Sequence, residues 1–167
     1  MGPFAMKRVV ISLFAILAGT SFAMAADAGC AAFKWPVTRE QALFPAAPAA
    51  QSGAALSVGE AADVALAPVD TISFTVPPER APRAGTFGAT ASVIVPPEGD
   101  LQISLSGEAW IDVIQDDRAM KSVGYSGVKT CPGIRKSVRF KLAAGPATIQ
   151  FSGAKEQGIK VAVLVPE

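Results

Sequence analysis

The chain has 167 residues, with 15 Lys and Arg against 14 Asp and Glu, two cysteines and no histidine. Half of its residues are apolar and few are charged, which excludes wholesale disorder, and the near-zero net charge leaves no electrostatic case for nucleic acid or an anionic membrane surface. Without imidazole the chain lacks the usual general base, the Ser-His nucleophile pair and most transition-metal sites, so neither an enzyme nor a cofactor is expected.

Lys7 and Arg8 precede an apolar run over residues 9–22, and Ala23-Met24-Ala25 offers small residues where signal peptidase reads them. These three parts describe a secretory signal peptide over residues 1–25. The apolar run is too short and interrupted for a span of about 20 residues, so no transmembrane span is expected in the mature chain. Removing 25 residues from 167 leaves 142, enough for one domain, and losing Lys7 and Arg8 leaves 13 basic against 14 acidic side chains. The predicted location is periplasmic or secreted. A second reading is a lipoprotein anchored at Cys30, because Ala28-Gly29-Cys30 resembles the end of a lipoprotein box, although Asp27 stands where that box takes an apolar residue. In an oxidising compartment Cys30 and Cys131 are expected to pair, closing a loop of about 100 residues. Two cysteines and no histidine make a poor zinc site.

Residues 26–61 read as an N-terminal arm rich in Ala, Pro and Gly. Thr38 and Gln41 match a capping box, predicting one short helix from Arg39 to about Phe44, stopped by Pro45 and followed by irregular coil. From Ala62 the apolar period changes to two. Strands are expected over residues 69–76, 89–95, 101–105, 110–114, 138–142, 147–151 and 159–165, separated by Pro-Pro, Gly-Pro and Asp-Asp turns. This predicts an all-β fold over residues 62–167: an antiparallel β-sandwich or jelly roll of about eight strands, preceded by the arm.

Four groups of residues bear on chemistry. Ser152 and Lys155 spell Ser-x-x-Lys, but after a strand and in a chain without asparagine, so a polar hairpin loop is expected rather than a penicillin-recognising site. Asp112, Asp116 and Asp117, with Glu108 before them, read as a turn, as weak calcium candidates, or as paired carboxylates for glycoside cleavage. Trp35, Trp110 and Tyr125 are the aromatics able to stack on a sugar. Trp110 and Asp112 share a strand face, so Trp110, Asp112 and Tyr125 are the ligand-binding candidates, the alternative being that Trp110 is core. Trp35 is expected to pack the arm onto the sandwich near Cys30. Arg135, Ser137, Arg139 and Lys141 share a face, with Lys136 opposite, and read as a solvated row or as a contact for an anionic partner.

Two resemblances follow from these residues. The rhythm of Leu101-Gln102-Ile103-Ser104-Leu105, Trp110-Ile111-Asp112-Val113, Val138-Arg139-Phe140-Lys141-Leu142 and Ala147-Thr148-Ile149-Gln150-Phe151 is similar to jelly-roll accessory modules of secreted bacterial enzymes, which often bind carbohydrate. The arm from Cys30 through Phe33, Trp35 and Glu40, with Trp110-Ile111-Asp112-Val113 and Phe151-Ser152-Gly153-Ala154, resembles small uncharacterised exported proteins of proteobacteria, some labelled homogentisate 1,2-dioxygenase. That oxygenase chemistry needs a histidine and carboxylate set for iron, which this chain cannot supply. The missing imidazole and the expected disulfide, with the jelly-roll likeness, lead to the expectation of an exported, non-catalytic β-sandwich that binds a ligand, a glycan among the possibilities, or another cell-envelope protein. The alternatives are a structural or assembly subunit of an envelope complex and, remotely, a carboxylate-only enzyme.

Overall fold

The computed structural model describes residues 1–2 and 29–167. Beyond its first two residues the predicted signal peptide, including Lys7, Arg8 and Ala23-Met24-Ala25, lies outside the described residues. A one-turn 3-10 segment at Cys30–Ala32 leads to helix α1 (Thr38–Leu43), which tightens into a second 3-10 turn over Phe44–Ala46. The helix starts one residue before the expected Arg39. Val37 takes the N-cap and no side chain caps it, because Gln41, expected to close a capping box, turns its amide towards the Cys30 sulfur at 3.4 Å.

Twelve strands follow: β1 (Ala49–Ala50), β2 (Ala55–Leu56), β3 (Glu60–Ala65), β4 (Ala67–Pro68), β5 (Phe87–Val95), β6 (Gly99–Leu105), β7 (Trp110–Gln115), β8 (Arg118–Met120), β9 (Ser122–Gly127), β10 (Lys136–Leu142), β11 (Gly145–Ala154) and β12 (Gly158–Leu164). One sheet runs β1-β3-β12-β6-β10-β9 and the other β2-β5-β11-β7-β8, with β4 also on β5. The long strands pair first with last: β3 with β12, β5 with β11, β6 with β10 and β7 with β8, all antiparallel. This is one long hairpin rolled up on itself, the jelly-roll topology, with its tip at the β7–β8 turn. The sheets are mixed rather than purely antiparallel, because β1 and β2 join β3 and β5 in parallel out of the stretch expected as coil.

Period-two alternation explains the inter-sheet core. Leu101, Ile103 and Leu105 of β6, Val138, Phe140 and Leu142 of β10, and Ile149 and Phe151 of β11 all point inward and are buried. The opposite faces are covered as well. Phe33, Val37 and Phe44 of the arm lie with Ala162, Leu164 and Ile134 in a second cluster on the back of the β12 sheet. Cys30 and Cys131, bonded to each other, belong to that cluster and fix the arm there. A disulfide belongs to a non-reducing, extracytoplasmic environment. The Cys30 sulfur is thereby committed to Cys131 and has no valence left for a lipid thioether, which corrects the lipoprotein reading. Gly29 has a reason of its own: a Cβ there would strike the Thr130 backbone carbonyl.

Residues 69–76, expected as a strand, form no ladder. Val69–Thr71 is a 3-10 turn, and the chain then runs extended across the outer face of β11. Both long edges of β5 are already taken by β11 and by β2 and β4, so no backbone partner remains. The Gln150 side chain substitutes for one, accepting from the Val76 amide at 3.2 Å and donating to its carbonyl at 2.9 Å. Gln115 grips the Ala143 backbone in the same two-way fashion at the end of β7. Among the described residues, no helix is long and apolar enough to cross a membrane.

Candidate functional site

The sandwich opens where β7 faces β9 and β10. Two chambers meet there. One, of about 280 Å³, reaches between the sheets against Ile111, Met120, Val138 and Phe140. The other, of about 450 Å³, lies outward of it and carries Arg80, Arg83, Arg135, Lys136 and Lys155 against the carboxylate of Glu108. Trp110, Tyr125 and Lys136 belong to both linings and so form the partition between them.

Each of these side chains is placed by its strand. Trp110 begins β7, where the covering chain of residues 72–83 gives way to the open end, and it is partly exposed. Its indole N–H donates to Asp112 Oδ1 at 3.0 Å, two residues along the same face. The Lys136 ammonium and the Arg80 guanidinium each stand 5.9 Å from the Trp110 ring centroid, within cation–π range. A carboxylate on the indole N–H makes the ring face more negative, which favours that gathering of cations. Tyr125 lies on edge strand β9 opposite Val138 and is half exposed.

Lys136 is the unusual member. It starts β10 on the side that continues as Val138, Phe140 and Leu142, so the strand carries it towards the core, and it is 9% exposed. Among the described residues it makes no ion pair and no hydrogen bond: the pairs present are Arg39 with Glu167 and Arg135 with Glu108. Burial lowers its pKa from 10.5 to about 8, with the Glu108 charge opposing and the Arg135 charge reinforcing that fall. Asp112 is shifted upward by burial, while the Trp110 N–H and the backbone amide of Glu79 pull the other way. Asp112 Oδ2 has no partner at hydrogen-bonding geometry.

Ser152 Oγ is likewise buried without a partner, and it lines the outer chamber. It sits in strand β11 opposite Trp110, not in the hairpin loop expected for it. Gly153, at φ 72°, follows in a bulge where the β11–β5 register slips between Phe151 and Ala154, and that bulge brings Lys155 to the chamber.

Trp110 and Tyr125 of the sequence-derived candidates thus share the groove. Asp112 stands behind Trp110, buried and outside both linings. Asp116 and Asp117 are at the exposed tip of the β7–β8 hairpin, with φ of 52° and 57°, the backbone of a two-residue I′-type turn. On an extended strand, Asp112 and Asp116 are about 13 Å apart, and no group of three Asp, Glu or Cys residues gathers among the described residues. The turn reading of Asp116 and Asp117 therefore stands against the calcium and glycosidase readings.

The Arg135–Lys141 row is not a solvated face. Ser137 is fully buried in a chain of hydrogen bonds that runs to Ser104 and on to Glu40, whose Oε1 also accepts from Gln102. Arg139 donates to Gln102 and stacks over Trp35 with its guanidinium carbon 4.0 Å from the ring centroid. Trp35 thereby holds the arm to the sandwich. Of the row, Lys141 alone is exposed, and Arg135 reaches the groove. Lys136, Ser152 and Arg80 were missed as site residues. A lysine on the apolar stripe of β10 was the signal available for the first; the other two are brought in by a bulge and by a crossing loop that periodicity does not show. No family model matches the chain, and no curated protein is similar to it.

Proposed function

We propose that this is a non-catalytic binding protein of the periplasm or the secreted fraction, and that it takes a small ligand in the groove partitioned by Trp110, Tyr125 and Lys136. The observation that carries the reading is the pair of uncompensated polar groups at the cavity wall. A buried lysine without a counter-ion and a buried hydroxyl without a hydrogen bond both cost stability, and a ligand supplying an acceptor satisfies both. The missing imidazole and the committed sulfurs of Cys30 and Cys131 support binding over catalysis. The test is Trp110 emission in a Trp35→Phe protein, titrated with a panel of neutral and acidic oligosaccharides and of single-chain amphiphiles. At least one class should saturate the signal and lose its effect in a folded Trp110→Ala variant. A panel with no saturable member overturns the reading.

An envelope-protein partner is a second reading. Its support is edge strand β9, where Val123 is 58% and Tyr125 50% exposed beside unpaired backbone. Cross-linking from position 123 in periplasmic extract, repeated with a Val123→Lys variant, checks it.

A further inference from the structure

We infer that the ligand is an anionic amphiphile of one short to medium hydrocarbon chain, with the chain between the sheets and the anionic head in the outer chamber. This rests on the groove being the binding site and names what the groove takes.

The inner chamber gathers four apolar side chains on one part of its lining. Ile111, Met120, Val138 and Phe140 line its depth, and Ser122 and Glu79 lie among its lining with the shared partition. A sugar ring placed against those four side chains would leave the hydroxyls that face them unpaired, at a cost of about 1–3 kcal/mol for each. A hydrocarbon chain leaves nothing unpaired. Apolar cavities of about 150 Å³ take benzene, and this one, at about 280 Å³, has room for a short to medium chain.

The outer chamber has the opposite chemistry. Five cationic side chains face it, and of the acidic residues only Glu108 lines it, already engaged with Arg135 at 3.5 Å. Lys136 and Ser152 are its two buried polar members, and both are donors lacking an acceptor. A carboxylate at the junction accepts from both, while Arg80, Arg83 and Lys155 add long-range attraction that salt screens. The two chambers meet at Trp110 and Tyr125, whose rings have an apolar face for the chain and, in Tyr125, a hydroxyl for the head. A chamber dominated by cations beside one that gathers four apolar side chains is what an amphiphile matches and a uniformly polar ligand does not.

The experiment is calorimetric titration of the disulfide-intact protein with decanoate, 1-octanol, acetate and a galacturonate disaccharide, in the wild type and in the Lys136→Met and Ser152→Ala variants. Decanoate should bind saturably, with 1-octanol and acetate at least tenfold weaker. Lys136→Met should weaken decanoate tenfold or more and leave 1-octanol nearly unchanged. Ser152→Ala, which removes an unpaired hydroxyl, should fold at least as stably as wild type and still weaken decanoate several-fold. If 1-octanol binds as tightly as decanoate, the anionic head has no role and the inference is overturned while the groove reading stands. Binding of the disaccharide in preference to decanoate has the same effect. If none of the four binds, the amphiphile inference fails, and the groove reading is then decided by its own panel. Co-sedimentation with phosphatidylglycerol vesicles at concentrations where decanoate does not bind would assign the basic chamber to a bilayer surface and overturn the single-molecule ligand.

Discussion

Replacing Lys136 with methionine tests the reasoning at its most quantitative point. Methionine keeps the unbranched shape and removes the ammonium. In the folded protein the lysine pKa falls from 10.5 to about 8 because burial penalises the charge. At about 1.4 kcal/mol per pH unit, that fall corresponds to a stability cost of about 3 kcal/mol. The sign follows from linkage. A lysine with a depressed folded pKa is penalised in full below pH 8, where it is charged in both states, and the penalty is lost as pH rises from 8 towards 10.5. Lys136→Met should therefore be more stable than wild type by about 3 kcal/mol at pH 7, with the gap closing to a packing difference of about 1 kcal/mol near pH 10.5. Urea unfolding followed by circular dichroism at pH 7, 8.5 and 10 measures it, and other titrating groups cancel in the wild-type-minus-variant difference. A difference that stays constant across this range, or a less stable variant at pH 7, refutes the account of Lys136 as a buried cation held without an ion pair or hydrogen bond.

Other outcomes follow from the same geometry. Asp112→Asn keeps an oxygen for the Trp110 N–H and removes a charge whose pKa burial has raised, so it should be neutral to stabilising at pH 7. Its advantage should shrink as pH falls through the raised pKa towards 3.8, readable from the same urea curves. Glu40→Ala strands the Gln102 and Ser104 donors in a dry site and should lower stability by about 2–4 kcal/mol, seen as a lower urea midpoint. Asp117→Gly relieves a left-handed residue at the hairpin tip and should raise stability by about 1 kcal/mol. Changing Cys30 and Cys131 together to serine opens a loop whose ends are 101 residues apart and should cost about 4–5 kcal/mol, with arm residues such as Phe33 and Phe44 losing amide-exchange protection first.

The strands that alternate strictly, such as β6, β10 and β11, were legible because period two follows from the pleat and needs no partner to be recognised. The pairing of Cys30 with Cys131 was legible from the absence of any other cysteine. The error at residues 69–76 has one cause: alternation marks an extended segment but not whether a strand edge is free to receive it. Gln102, Ser104, Ser137 and Gln150 all read as outward polar residues, and all are buried. Each lies on the face predicted for it. What covers that face, the arm on one sheet and the crossing loop on the other, comes from far along the chain.

The groove divides in the same way. Trp110, Asp112 and Tyr125 could be named in advance because the chain has only two Trp and one Tyr, and Trp110 shares a strand face with Asp112. Their separation into a partition and a buried support behind it depends on where the crossing loop ends and on the step from β8, at the edge of one sheet, to β9, at the edge of the other. The sequence alone determined the all-β class, the direction each strand side chain takes and the staple. Tertiary structure alone decided which polar side chains lost their water, because burial depends on contacts between segments many residues apart. That desolvation is what turns Lys136 and Ser152 from surface residues into buried donors without an acceptor.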